Sequence, residues 1–355
     1  MATRYISIDS GKFATKVSSY DFKDKTVRSF PIRTKVSEGD FRDDAIEENT
    51  VVIEIDGKVY KVGNGARGSG AALDTDKKSD IHRICAITSI AAIASANEVD
   101  EINVVVGLPA KEWASVSKRE AFKEYILPTG EVEISIRTNS KTPVVKKKFI
   151  IKNKFAAPES SGALYVDEVI DSVSPTSITA ILDTGNLNLN ATLWQGTELL
   201  QDKSITAELG GAILIQELAQ EISTNIVPCD ELIAANILKD HSGDRHLPEN
   251  LNLSKEQIDL SKTVINKVIT DHVEKIKRIC RARNWSLDLM NIIAIGGTSQ
   301  DIAEELKKSF KNITVLDNPT FVNSLGYLRW MCAKLPDFKD EVIPLTLYKK
   351  SAKEA

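Results

Sequence analysis

The chain has 355 residues, enough for two domains that each bury a core of their own. Apolar residues make up 42% and charged residues 27%, with a formal net charge of −4, a balance that argues against direct, non-specific DNA binding. Cys85, Cys229, Cys280 and Cys332 are scattered with no CxxC pair, and they read as small core residues in a reducing cytosol.

An apolar strand from Tyr5 runs into Asp9, a Ser10-Gly11-Lys12 turn follows, and a second strand carrying Lys16 leaves from Phe13. Asp9 follows so closely on a short apolar run that no signal peptide is expected. Gly11 can take φ > 0, so turn amides can point at one acceptor; Lys16 suits a phosphate and Asp9 the shell of a divalent cation. Taken alone, the same stretch also reads as an ordinary turn. Residues 21–62 alternate charged turns with short strands, ending in a hairpin around Asp56-Gly57. Residues 63–68 then match G-x-G-x-x-G, but a dinucleotide site needs a parallel βαβ unit. Here the glycines leave an antiparallel hairpin and read as a flexible connection.

Residues 80–97 are expected as an amphipathic helix with Ile81, Ile84, Cys85 and Ile87 inward and His82 in a structural or surface role. Its most apolar part, residues 84–96, is too short to span a bilayer. A buried-type strand over 102–106 enters Gly107-Leu108-Pro109, and residues 131–137 and 144–151 form a further hairpin. Lys146, Lys147 and Lys148 alternate faces there, which reads as a solvated edge rather than a nucleic-acid patch. Pro158 with Glu159 behind it reads as the start of a helix.

Residues 178–191 repeat the opening plan: Asp183-Thr184-Gly185-Asn186 sits between two strands, with Asp9 matching Asp183 and Gly11 matching Gly185. Two such hairpins half a chain apart suggest related domains that present one Asp each to the same polyphosphate. Gly210-Gly211 leads into a helix to about residue 222, and further helices are expected over 230–239 and 254–283. The buried strand from Met290 ends in Gly296-Gly297-Thr298-Ser299 before a helix over 300–310, a turn where backbone can lie flat against a ligand or phosphate. A plain capped turn is the other reading. A strand over 312–316, a break at Asp317-Asn318-Pro319, and a helix over 320–332 that can cross back to the first domain complete the order. From Tyr348 the chain reads as a loose charged tail, and residues 340–355 show no apolar face that could anchor to a membrane.

Asp9-Ser10-Gly11 with Lys16 seven residues after the aspartate resembles the first phosphate motif of the actin, heat-shock-chaperone and sugar-kinase superfamily, in its actin-like version. Asp183-Thr184-Gly185-Asn186 resembles the second phosphate motif, Ile295-Gly296-Gly297-Thr298 the adenosine motif, and Gly107-Leu108-Pro109 and Asn318-Pro319 with Gly326 the connecting segments. Length, the Gly-Leu-Pro loop and Pro158-Glu159-Ser160 are most similar to bacterial plasmid-segregation actins of the ParM type. Asn186, where many relatives have Gly or Thr, and two glycines rather than three in the adenosine motif depart from the pattern.

The resemblance implies an α/β, actin-like (ribonuclease H-like) fold of two domains, each a five-stranded mixed sheet flanked by helices, with nucleotide in the interdomain cleft. Domain I is expected over 1–170 with 326–355 returning to it, and domain II over 171–325. Nucleotide contacts are carried onto Asp9, Ser10, Gly11, Lys12, Lys16, Thr184, Gly185, Asn186, Gly210, Gly211, Gly296, Gly297 and Thr298. Asp9 and Asp183 are expected to hold Mg²⁺ mostly through water, with Glu159 aligning the attacking water and Asp183 assisting. The implied activity is a cytoplasmic ATPase that self-associates into filaments and segregates plasmid DNA through an adaptor protein bound to centromere-like DNA, with no direct nucleic-acid or membrane contact. A small-molecule kinase or another ATPase of the superfamily is the alternative, and preference for ATP over GTP is left open.

Overall fold

Both faces of the first strand are buried, and this sets how the chain around it folds. In β1 (Thr3–Ser10), Ile6 and Ile8 enter a hydrophobic core; on the opposite face Ser7 donates to the Ser324 carbonyl at 2.5 Å and Tyr5 meets Phe338 edge-on. The computed structural model describes residues 2–43, 46–68, 70, 77–96, 98–248, 251–339, 343 and 348–349. They fall into two units, Met1–Ser172 with Phe321–Ala355, and Val173–Thr320.

In the first unit β1 is followed by β2 (Ala14–Asp21), β3 (Thr26–Arg33), β4 (Val36–Glu38), β5 (Thr50–Ile55), β6 (Lys58–Gly63) and α1 (Asp80–Ile93). Then come β7 (Val99–Leu108), α2 (Ala110–Trp113), α3 (Val116–Ile126), β8 (Glu131–Arg137), β9 (Val145–Pro158), a 3₁₀ turn over Ser161–Tyr165, and α4 (Asp167–Ile170). The second unit holds β10 (Ile178–Thr184), β11 (Leu189–Gln195), β12 (Glu198–Leu199), β13 (Ile205–Ala207), α5 (Gly211–Asn225), α6 (Glu231–Lys239) and α7 (Lys255–Ala282). It closes with β14 (Asn291–Ile295), α8 (Gly297–Asp301), α9 (Ala303–Ser309) and β15 (Ile313–Val315), after which α10 (Val322–Cys332) and β16 (Tyr348–Lys349) belong to the first unit again.

The first unit's sheet runs β16-β3-β2-β1-β7-β9-β8-β5-β6-β4, ten strands among the described residues where five were expected. The cause is the length of β9. Its 14 residues pair in parallel with β7 from Lys148 to Pro158, while its first half pairs antiparallel with β8, which passes the sheet on to β5. Lys148 is therefore flanked by strands on both sides, whereas Lys146 and Lys147, before the β7 ladder begins, pair with β8 alone, and Lys146 and Lys148 keep exposed side chains as a solvated edge requires. Lys146 and Lys148 both reach Glu133, at 3.0 and 2.8 Å, and Lys147 donates to the Ala94 carbonyl at 2.6 Å.

α1 is buried on more than one face rather than amphipathic, and it ends at Ile93. Thr88 and Ser89 donate to the Ile84 and Cys85 carbonyls at 2.7 Å, and Nδ1 of buried His82 lies 3.0 Å from the Ser79 hydroxyl. The β5–β6 hairpin is antiparallel as expected, but the glycines after it are tied down. Gly63 N donates to the Lys35 carbonyl at 3.0 Å and Gly65 N to the Thr50 hydroxyl at 2.8 Å.

The second unit's sheet runs β12-β11-β10-β14-β15 with β13 added on β11, six strands among the described residues rather than five. β10 pairs antiparallel with β11 and parallel with β14. Over it, α7 starts at a capping box formed by Ser254 and Gln257 and sends Val264, Ile265, Val268, Ile269, Val273 and Ile276 into the core, the spacing of a single helix face. The helix expected after β14 is broken at Ile302 into α8 and α9. Most of the expected charged tail lies outside the described residues, and Tyr348–Lys349 pair in parallel with Val27 and Arg28. Among the described residues no helix is long and apolar enough to cross a membrane.

α10 approaches the 3₁₀ turn so closely that a Cβ on Gly326 would overlap the backbone of Gly162. Gly326→Ala, which on an exposed helix would stabilise, should here cost at least about 3 kcal/mol, read as a lower midpoint in urea unfolding. His272 is buried in α7 with no partner for either ring nitrogen among the described residues, and burial pushes its imidazole down from 6.5 to about 4 despite Glu217 nearby. The unfolded chain takes up that proton below pH 6.5 and the folded chain only near pH 4, so stability falls as pH drops through this window. His272→Leu should remove about 2 kcal/mol of the stability lost between pH 7.5 and pH 5, measured by denaturant unfolding at both values.

Candidate functional site

In the first unit the hairpin register sets Lys16 directly across from Asp9, with its ammonium 3.3 Å from a carboxylate oxygen. Asp9 is 5% exposed and stands one residue before the end of β1. The Gly11 amide, expected to face phosphate, instead donates to the Asp9 carbonyl at 2.9 Å, and the Thr34 hydroxyl donates to the Gly11 carbonyl at 2.7 Å. The Ser10 hydroxyl is buried with no hydrogen-bond partner among the described residues, and Lys12 is partly exposed at the tip. β7 runs parallel to β1, so its end comes alongside: a Cβ on Gly107 would lie 3.6 Å from the Asp9 carboxylate.

Pro158 does not open a helix. It is the last residue of β9 and pairs in parallel with Leu108, because the strand ladder runs through to its end. Glu159 then donates from its amide to the Leu108 carbonyl at 2.8 Å, Ser160 turns the chain with φ +68°, and the Tyr327 hydroxyl donates to the Pro158 carbonyl at 3.3 Å. The Glu159 side chain is 7% exposed, and its carboxylate is ion-paired with Lys77. Asp9, Ser10, Gly11, Lys16 and Glu159 thus gather at the carboxyl ends of the parallel strands β1, β7 and β9, where α/β sheets bind ligands. Lys77 and Tyr327 escaped the sequence reading; neither lies in a motif, and each is found only through what it touches.

In the second unit Asp183 pairs with Asn190 on β11 and with Ile295 on β14, so the second acid also stands near the carboxyl end of its strand. The turn is locked by Gly185 N donating to the Asn188 carbonyl at 2.9 Å, which again commits an amide expected to face phosphate. The first amides of α5 close on the same turn, Gly211 N to the Gly185 carbonyl at 3.0 Å and Ala212 N to the Asn186 carbonyl at 2.7 Å. Gly210 N donates to the Leu187 carbonyl at 3.1 Å. From α8, the Thr298 hydroxyl donates to the Gly185 carbonyl at 2.9 Å and the Ser299 hydroxyl to that of Thr184 at 3.2 Å.

Gly296 takes φ +89°, and a Cβ there would stand 2.5 Å from the Thr184 carbonyl and 2.8 Å from the Asp183 carboxylate. Only glycine fits. Asp183, Thr184, Gly185, Asn186, Gly210, Gly211, Gly296, Gly297 and Thr298 are therefore brought together in one cluster. Among the described residues no three His, Cys, Asp or Glu side chains converge as a metal cage.

Residues 7–159 match the family of actin-like protein N-terminal domains. No curated protein matches the chain significantly. Among solved structures, the Alp12 filament shares 22% identity over 94% of this chain and 99% of that one, with a TM-score of 0.70. A 15-stranded ParM filament from Clostridium botulinum shares 20% identity over 93% and 99%, with a TM-score of 0.67. Bacillus thuringiensis ParM with ATP shares 16% over 92% and 98%, with a TM-score of 0.65. The chain therefore has the actin-like fold of these structures, and residues 7–159 are similar to the N-terminal domain of actin-like proteins.

Proposed function

We propose that the chain is an ATPase that assembles into filaments with Mg-ATP and segregates plasmid DNA through an adaptor protein bound to a centromere-like site. The observation that carries this reading is the repeated acid-tipped turn, Asp9 in one unit and Asp183 in the other, each near the carboxyl end of a strand paired in parallel. The fold supports the assembly part, since its neighbours include an Alp12 filament, a ParM filament and a ParM with ATP.

The residues present fit a magnesium nucleotide. Ser10 offers a buried hydroxyl without a partner among the described residues, and Lys16 stands beside a buried carboxylate. Gly296 keeps backbone bare beside Thr184 and Asp183. Asp9 and Asp183 would hold Mg²⁺ mainly through water, and the bound ion would spread the charge that develops on the phosphate oxygens. Lys16 and Lys12 would neutralise phosphate, and the Ser10 hydroxyl would donate to a phosphate oxygen. Gly296, Gly297 and Thr298, with Gly210 and Gly211, would lie against the adenosine. Glu159 would accept a hydrogen bond from the attacking water and align it, assisted by Asp183.

Positioning of this kind forms no covalent intermediate and can be slow, which suits a timer on a polymer. Holding one nucleotide with both sets of residues would let its γ-phosphate bias a subunit interface, and a heterologous interface that does not close makes a filament.

Light scattering and sedimentation with and without Mg-ATP should show polymer only with the nucleotide; a chain that never sediments with Mg-ATP would falsify the filament claim. Glu159→Ala should slow phosphate release about 100-fold while still forming polymer, which then persists longer in the same pelleting assay.

A further inference from the structure

Lys77 precedes α1, far along the chain from Glu159, yet its ammonium is ion-paired with the Glu159 carboxylate and both side chains are nearly buried. The backbone on which Glu159 sits is already held in three ways. Its amide donates to the Leu108 carbonyl at 2.8 Å, the Tyr327 hydroxyl holds the Pro158 carbonyl at 3.3 Å, and Ser160 is kept at φ +68°. A left-handed, non-glycine residue in a buried turn is a strained feature of the kind that collects at working sites. The Lys77 ammonium contacts the carboxylate itself, the group whose direction the proposed alignment of water depends on.

We propose that Lys77 is a positioning residue for nucleotide hydrolysis, holding the Glu159 carboxylate aimed. The proposal rests on the reading of Glu159 as the group that aligns the attacking water. In that step the water oxygen bonds to the γ-phosphorus as the bond to the β–γ bridging oxygen breaks. ADP leaves with the electron pair, and the water's protons end on the released phosphate and in solvent. A Glu159 side chain that swings away cannot accept the water's hydrogen bond, so loss of Lys77 acts on turnover and not on nucleotide affinity.

The test measures phosphate release and ATP binding by calorimetry on the full chain for Lys77→Met, Lys77→Arg, Glu159→Gln and the Lys77→Met/Glu159→Gln pair. Lys77→Met should lower kcat at least about tenfold, with KM and the ATP Kd within about twofold of wild type. Lys77→Arg should recover most of that loss, and the double variant should be no slower than Glu159→Gln alone. Thermal melting separates these effects from loss of fold. Should Lys77→Met fail to fold, Lys77→Leu, which likewise removes the contact, carries the same comparison. A wild-type kcat in Lys77→Met, a faster one, or losses that multiply in the double variant would overturn the proposal. A wild-type chain that binds ATP but never hydrolyses it would overturn the reading of Glu159 as well.

Discussion

A carboxylate buried at the end of a strand costs several kcal/mol unless a cation lies against it. At the carboxyl ends of first-unit strands, the described residues include two, Asp9 in the last two residues of β1 and Glu159 just after β9, and each has a lysine. The two solutions differ in kind. Lys16 comes from the same hairpin as Asp9 and is placed by strand register alone. Lys77 comes from outside the sheet and is placed by how the segment before α1 packs. The carboxyl ends of β1, β7 and β9 thereby become a polar, charged rim on an otherwise apolar sheet.

The two units share a backbone plan and differ in charge. In each, a central strand ending near an acid pairs antiparallel with the next strand and parallel with a later one. The residue across the hairpin is Lys16 in the first unit and Asn190 in the second, so the first tip is an ion pair and the second sets a carboxylate opposite an amide. The second tip is braced differently, by the first amides of α5 and the hydroxyls of α8 closing on the turn carbonyls. Amides used in this way are not available to a ligand, so under the proposed function phosphate recognition would fall mainly to Lys16 and the Ser10 hydroxyl.

The turn that carries Glu159 depends on a helix that comes much later in the chain. α10 lies against it through the Gly162–Gly326 approach, and Tyr327 reaches the Pro158 carbonyl. The same helix ties into the sheet through Ser324, which accepts from Ser7 on its carbonyl and meets the Ser18 hydroxyl at 2.8 Å. A single helix, through its Ser324, Gly326 and Tyr327, thus braces both acid-bearing strand ends of the first unit.

The sequence by itself determined what local rules settle. Alternation at period two and Gly-containing turns set both hairpins, with Asp9 across from Lys16, and a capped 3.6-residue repeat set α7 within a residue or two at each end. The repeated Asp-Ser/Thr-Gly pattern located most of the candidate site, because its residues lie at strand ends where spacing follows from the turn. Only the tertiary structure decided the rest. Pro158 ends a strand because β7 offers it a ladder, Lys148 is flanked by both β7 and β8, and Glu159 meets Lys77 through packing that no spacing encodes. The Gly11 and Gly185 amides bond to carbonyls of their own turns, those of Asp9 and Asn188. Register and helical period act between near neighbours and can be read along the chain, whereas pairing partners and ion pairs are chosen among residues that meet only once it has folded.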